Sequence, residues 1–422
     1  VNKTISITLM YFGSLLLTST FAGKTQNAHR FTLSTPDIPA NYQALDPLQS
    51  FSAASGYGWM NNSENHFGVA VPEGNYSVKL IYDSPDAANA MTVKAESRRV
   101  MLTTTGYNSS KIRSFTVNVR QPHIASGGKV TLNNWETTPT LIAHWDELLT
   151  LEFLPDTSGL TAIEIEPASK VTTLYIAGDS TVADQRSEPY AGWGQMLPSL
   201  FNQNISIANH AESGRALFSF LDEHRFDKIL STIQPGDYLF IQFGHNDQKD
   251  KRNEAGPYTT YTSELIEYVN ATRDKSAIPV LITPMERRRW KNGEPGETLS
   301  EYADAVRRVG KALNVSVIDL HAMSLAFYNA MGEVASTKAF VHYPSNTYPD
   351  QPKQLKDNTH HNAYGALQLA KCIAEGIRVQ IPGLAQHLRP EYGNYSPSHP
   401  DDPATTTIPA SFVLSTATPE GN

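Results

Sequence analysis

Cysteine is almost absent. Cys372 stands alone in 422 residues, so no intramolecular disulfide can form and no disulfide framework holds the fold. Its place in the apolar pattern of a C-terminal helix marks it as a small buried side chain rather than a reactive thiol. Positive charge is also short: 34 Lys and Arg stand against 42 Asp and Glu, a formal net charge of −8. That balance excludes the broad basic face a phosphate backbone requires, and nucleic acid with it. Metal-ligand spacing is missing too. His210, His224, His321 and His342 are scattered, with no His-x-x-x-His or paired-cysteine pattern, so neither a catalytic metal nor another cofactor is expected. Long apolar runs are lacking as well. The stretch Ile5 to Leu17 is too short and too interrupted by Ser and Thr to span a membrane. With Lys3 before it and Thr20-Phe21-Ala22 after it, residues 1–22 are expected to form a cleaved export signal. The expected location is secreted or periplasmic, with no membrane partner after cleavage.

What is present divides the chain in two, as its length requires. Residues 30–168 carry period-two patterns: 67–71, 76–82, 114–119, 149–154 and 161–165 alternate as half-buried strands. Turn residues such as Pro72-Glu73-Gly74-Asn75 and Ser126-Gly127-Gly128 separate them. Many short strands with regular turns predict an antiparallel β-sandwich of jelly-roll type. Tyr57, Trp59 and Trp135 could form a sugar-binding platform on it, but aromatics in sandwiches are more often core, which favours a structural partner for the second half. The Glu166-Pro167-Ala168 junction is too short for a flexible linker and predicts docking.

Residues 171–395 instead alternate strand and helix. Apolar runs at 174–178, 205–209, 238–243, 279–283 and 315–320 are separated by helical patterns, as at Leu299 to Leu313, where Tyr302, Val306, Val309 and Leu313 keep helical spacing. This predicts an α/β fold with a parallel sheet covered by helices on both faces. The tail, residues 396–422, is rich in Pro, Thr and Ser; its composition favours disorder over a segment extended on the body.

The chemistry lies where these runs end. One delivers Gly178-Asp179-Ser180-Thr181, the next leads to Glu212-Ser213-Gly214-Arg215, and the third to Gly244-His245-Asn246-Asp247. Asp357-Asn358-Thr359-His360 lies in a loop before a helix that begins near Asn362. Loops beyond the carboxyl ends of parallel strands meet at one rim, so these segments can share a pocket. Together they offer a serine, backbone N–H groups, a side-chain amide and an Asp/His pair, the parts of an ester-hydrolysing site. Ser180 is the candidate nucleophile, His360 its base, and Asp357 the group that orients the base. The N–H groups of Ser180 and Gly214 and the amide of Asn246 would hold the oxyanion. His361 is a rival base, set aside by the Asp-x-x-His spacing. Asp179 is expected to brace the nucleophile turn, and His245 and Asp247 to order the Asn246 loop.

These four blocks, in this order, resemble those of the SGNH (GDSL-type) hydrolases. The flanking Gly192-Trp193-Gly194-Gln195, Ala211-Glu212-Ser213-Gly214-Arg215 and Thr283-Pro284-Met285-Glu286-Arg287-Arg288 are similar to rhamnogalacturonan acetylesterases. The resemblance spans about residues 171 to 380 and implies a flavodoxin-like sheet. The sandwich is similar to the galactose-binding-like domain that precedes some bacterial members. The implied activity is removal of O-acetyl groups from an acidic pectic polysaccharide. Basic residues from Arg287 to Lys291, with Lys249, Lys251 and Arg252, would suit such a substrate, and Arg287, Trp290 and Arg215 are the expected contacts. A deacetylase of another polymer such as xylan, or an inactive carbohydrate-binding protein, are the competing readings.

Overall fold

The computed structural model describes residues 27–411 apart from 34–37, 61–62, 64, 105–107, 138–143 and 349–350. The expected export signal lies outside the described residues. In the second half, five parallel strands lie in the order Ser316–Ile318, Ile278–Ile282, Tyr238–Gln242, Thr172–Gly178, Ile205–Asn209. Renumbered within this half the order is 5-4-3-1-2, the flavodoxin-like arrangement, whose switch point falls between its first and third strands. Ser180 follows the first of these and Asn246 the third.

Alternation along the first strand shows why the sheet is covered on both faces. Leu174 and Ile176 join one buried cluster with Trp193, Phe327 and the helix Ala363–Gln380, which holds Cys372. Tyr175 and Ala177 point the other way, into a cluster with Leu217, Phe220, Ile229, Leu265 and Val306. The helix Ser300–Leu313 presents Tyr302, Val306 and Val309 to that second cluster, at the spacing the sequence predicts.

The first half is built from antiparallel strands. Gly74–Tyr82 pairs with Ile112–Val119 on one side and Leu160–Pro167 on the other, and His29–Thr32 extends that sheet. A five-stranded sheet, including His66–Ala70, Leu148–Leu154, Thr92–Ala95 and Arg99–Leu102, faces it. Between them Tyr76, Val78, Leu80 and Tyr82 pack on Val69, Leu149, Leu151 and Phe153. Trp59 is buried in this core and Tyr57 packs on Phe31, with ring centroids 4.7 Å apart. Trp135 is half-buried, with the guanidinium of Arg186 from the second half 4.5 Å over its ring.

The two halves share a sheet. Ile112–Val119 runs parallel to Ile205–Asn209, with Ile207 opposite Val117, so ten strands form one continuous sheet. The strands meet at this single register pair, and polar side chains carry the junction around it. Arg99 Nη1 donates to Ile207 O at 3.3 Å and to Asn118 O at 3.2 Å. Thr116 Oγ1 donates to Gln203 O at 2.6 Å. Asn75 Oδ1 accepts from Ser206 Oγ and from Asn118 Nδ2, while Asn75 Nδ2 donates to Thr173 Oγ1.

Residues 396–411 of the tail depart from its compositional expectation; residues 412–422 lie outside the described residues. Through Ser411 the tail is extended against the body. Lys94 Nζ donates to Pro409 O at 2.7 Å and to Ser411 Oγ at 2.9 Å. Ser411 Oγ donates to Glu152 Oε2, and its N–H to Glu188 Oε1. Buried charges on the body fix a segment whose own composition supplies few apolar anchors.

Candidate active site

Ser180 sits at the carboxyl end of the first strand of the parallel sheet, only 2 % exposed. Its turn is held by Asp179, whose Oδ1 accepts from Thr181 N at 2.9 Å and Thr181 Oγ1 at 2.7 Å. Asp179 Oδ2 lies 3.3 Å from His245 Nδ1. Burial raises the Asp179 carboxyl, but His245 and Thr181 outweigh it and hold the group below its ordinary value. Gly192 and Gly194 let the next segment pass close behind. A Cβ on Gly192 would lie 2.4 Å from Ala183 O, and one on Gly194 would lie 2.5 Å from Val182 O. Trp193 Nε1 then reaches Gln242 Oε1 at 2.7 Å, and Gln242 Nε2 reaches Thr181 Oγ1 at 3.1 Å.

Asp357 and His360 lie on a strand, Leu355–His361, and not in the expected loop. Its pairing with Phe340–Tyr343 jumps: Val341 faces Asp357, and the next residue back, Phe340, faces His361. Residues 358–360 therefore bulge from the ladder, which folds the two side chains together. His360 Nδ1 is 2.7 Å from Asp357 Oδ2, and His360 Nε2 is 2.8 Å from Ser180 Oγ. An ionised carboxylate can only accept, so Nδ1 carries the proton and Nε2 accepts from the serine hydroxyl. Burial alone would raise the Asp357 carboxyl. The hydrogen bond and charge of His360, with the N–H groups of His360 and Thr359 on Oδ1, hold it at about 2. His361 turns to Tyr328, with Nε2 2.9 Å from the hydroxyl, and burial presses it to about 3. Tyr190 stands edge-on to His360, with ring centroids 5.9 Å apart.

The other two loops are stitched to the serine. Gln185 Nε2 donates to Ser180 O at 2.6 Å and Ser213 Oγ at 3.1 Å, next to Gly214. Gly214 has φ +79°, a left-handed conformation that favours glycine. Asn246 Nδ2 donates to Arg215 O at 3.1 Å, joining its loop to that of Gly214. Asp247 Oδ1 accepts from Leu217 N at 2.9 Å, which ties the same two loops a second time.

Asp247 is itself a pH-sensitive group, because its Oδ2 is buried without a hydrogen-bond partner. Burial pushes its carboxyl from 3.8 to about 7. With the folded value above the unfolded one, its contribution to stability is fully present below about pH 4 and is lost as pH rises through 7. The variant Asp247→Asn lacks that loss. Urea titration at pH 4 and pH 8 should show the variant gaining on the wild type by on the order of 4 kcal/mol over the interval. A constant difference would mean that Asp247 does not retain its proton.

The expected substrate contacts fall in different places. Arg287 Nη2 donates to His245 O at 3.2 Å, beside Asn246, and also holds Gln248. Burial lowers it, while Asp179 and Asp357 lie near enough to pull it back up. Lys249 feels the same two carboxylates, so both cations belong to this rim. Trp290 is half-buried on a small hairpin with Pro295, its Nε1 without an acceptor. Arg215 is 7 % exposed; it reaches Glu223, Ser213 O and Asn133 Oδ1. Arg288 braces the Asp357 strand, its backbone N–H donating to Asn358 O at 2.8 Å and its Nη1 to Asn358 Oδ1 at 3.2 Å. Glu286 secures this loop by accepting from Thr298 N, Leu299 N and His321 Nε2.

Sequence reasoning favoured the sandwich as a structural partner but named none of the residues through which it supports the site. The turn Glu96-Ser97-Arg98, between the strands Thr92–Ala95 and Arg99–Leu102, enters the second half. Arg98 Nη1 donates to Gln185 O at 2.6 Å and Tyr190 O at 3.2 Å, and Nη2 pairs with Glu188 at 2.5 Å. Gln195 Nε2 donates back to Ser97 O at 2.8 Å. Arg99 Nε lies 2.9 Å from Asp184 Oδ2. Gln185 and Tyr190, the neighbours of Ser180 and His360, are thus held from the other half. A charged run, 96–99, interrupting apolar strands was the available signal.

Among the described residues one group, Glu136, His144 and Glu212, brings potential metal-ligating atoms within 4.8 Å of each other. The guanidinium of Arg225 already supplies a positive charge there, pairing with Glu136 at 2.6 Å.

Residues 176–366 match the GDSL-like lipase/acylhydrolase family. The chain is 41 % identical over 222 residues to the rhamnogalacturonan acetylesterase RhgT of Bacillus subtilis (strain 168), covering 52 % of this chain and 95 % of that protein. It is 37 % identical over 208 residues to the probable rhamnogalacturonan acetylesterase YesY of the same organism, covering 49 % and 92 %. Among solved structures, the B. subtilis YxiM protein matches with a TM-score of 0.46 and 21 % identity, over 83 % of this chain and 98 % of that one.

Proposed function

Because the chain belongs to the GDSL-like lipase/acylhydrolase family, we propose that it is an exported carbohydrate esterase that removes O-acetyl groups from pectic rhamnogalacturonan through a serine acyl-enzyme. The observation that carries the chemistry is the unbroken relay Asp357–His360–Ser180, with links of 2.7 and 2.8 Å. The names of the relatives that the chain covers almost completely carry the substrate.

In the first step the Ser180 oxygen bonds to the acetyl carbon as its proton passes to His360 Nε2. Asp357 stabilises the imidazolium and fixes the ring. The carbonyl oxygen becomes an oxyanion, received by the N–H groups of Ser180 and Gly214 and the amide of Asn246. One proton of that amide is used on Arg215 O, which leaves the second for the oxyanion. The tetrahedral centre collapses, the bond to the sugar oxygen breaks, and His360 returns its proton to that oxygen. Water, deprotonated by His360, then attacks the acetyl-serine. Acetate leaves and Ser180 recovers its proton.

Initial rates of acetate release from acetylated rhamnogalacturonan and acetylated xylan test the substrate. The expected result is a clear preference for the pectic polymer; a preference for xylan would overturn it.

A further inference from the structure

A cavity lies beside the site, lined by sequence neighbours of its residues. It has a volume of about 430 Å3, within the range of about 300–1,000 Å3 found for small-molecule sites. Pro189 lines it next in sequence to Tyr190, whose ring lies against His360. A second link runs through His342 on its lining, whose Nε2 is 2.9 Å from Oδ1 of Asn358, beside Asp357. The third is Asn362, two residues beyond His360.

The lining suits an acidic sugar. Tyr343 and Tyr348 are half-buried and meet edge to face, with centroids 5.2 Å apart, and Tyr364 adds a third ring. Such faces take the C–H side of a pyranose while hydroxyl groups at their edges hydrogen-bond. Lys338 is exposed on the wall and, among the described residues, forms no ion pair. The carboxylate on the lining, Glu188, is already met by Arg98 at 2.5 Å and Lys94 at 3.7 Å, so it does not cancel Lys338. The remaining wall is the tail between Pro403 and Ala410, fixed at its end by Lys94, Glu152 and Glu188.

We propose that this cavity is a subsite for a uronate residue of the polymer, a neighbour of the acetylated sugar. Tyr348 provides the stacking face, Lys338 the partner for the sugar carboxylate, and the tail closes one side. The assignment rests on the deacetylase reading above.

The experiment compares wild type, Tyr348→Ala, Lys338→Ala and Lys338→Arg on acetylated rhamnogalacturonan and on 4-nitrophenyl acetate. Tyr348→Ala and Lys338→Ala should each lose about tenfold in kcat/KM on the polymer, mainly through KM, and nothing on the small ester. Lys338→Arg should keep most of the polymer activity, and added salt should shrink the Lys338→Ala defect. Equal losses on both substrates, or no loss on the polymer, would overturn the subsite. An equal Lys338→Ala defect on neutral acetylated xylan would overturn the uronate assignment. A wild type active on the small ester but not on rhamnogalacturonan would instead remove the deacetylase reading, and the subsite with it.

Discussion

Ser180→Ala should lower acetate release by roughly four to six orders of magnitude, with the fold unchanged. The size follows from what the hydroxyl does and where it sits. Its oxygen bonds to His360 at 2.8 Å, while Asp179 holds the turn through Thr181 N and Gln185 holds the Ser180 carbonyl. Removing the oxygen therefore takes away the nucleophile and leaves the supports in place. His360→Ala should fall by a similar factor, and the double variant by scarcely more, because members of one relay act as a unit. Steady-state acetate release, with circular dichroism as the folding control, decides it. A Ser180→Ala enzyme that keeps more than about a tenth of wild-type activity would remove Ser180 from the chemistry.

Arg225→Ala should cost about 3–5 kcal/mol of stability. Arg225 is fully buried, and its two Nη atoms meet the two oxygens of Glu136 at 3.1 and 2.6 Å. Its Nε donates to Glu223 Oε2 at 2.7 Å, and Glu212 stands 3.9 Å from Nη1. Glu136 comes from the first half of the chain and the other three from the second, so the arginine is a clasp between them. Burial would raise Glu136, but Arg225 overrides it and keeps the carboxyl below its ordinary value. Burial and the nearby Glu136 raise Glu212 instead. Without the arginine, Glu136 is a buried carboxylate with no cation, which is what makes the loss large. Adding Glu136→Gln to Arg225→Ala should recover part of it, because the stranded charge is gone. Urea unfolding of the four proteins in that cycle measures both effects. A single-variant loss below about 1 kcal/mol would show the clasp to be dispensable.

The candidate constellation was legible because each part lies at the end of an apolar strand or in a short polar signature. Gly178-Asp179-Ser180, Gly244-His245-Asn246-Asp247 and Asp357-x-x-His360 can be read as local strings. A parallel sheet covered on both faces followed from alternating strands and helices; its flavodoxin-like order was implied by the family resemblance alone. What could not be read is what joins remote segments. Nothing in Ile207 or Val117 announces that they face each other, since many half-buried strand residues would fit as well. The strands around Trp59, Val93 and Val100 are short, and their alternation is broken by charge, so local pattern gave no count of them. Gln185 and Arg98 belong to no sequence motif; only their mutual burial across two halves of the chain makes them supports. The tail misled because composition measures how little apolar surface a segment can bury. It does not register Lys94, Glu152 and Glu188 waiting on the body to bind a backbone.

A sheet that passes from one half to the other also settles how the molecule can be taken apart. In an open sheet the last strand offers its unpaired N–H and C=O groups to any chain that meets it. Here Ile205–Asn209 is not last, because Ile112–Val119 lies alongside it. A fragment starting near residue 171 would turn that strand into a naked border. It would also strip Asp184 of Arg99 and Glu188 of Arg98 and Lys94. Such a fragment would carry a bare strand edge beside stranded carboxylates, so the sandwich acts as the cover of the hydrolase's edge.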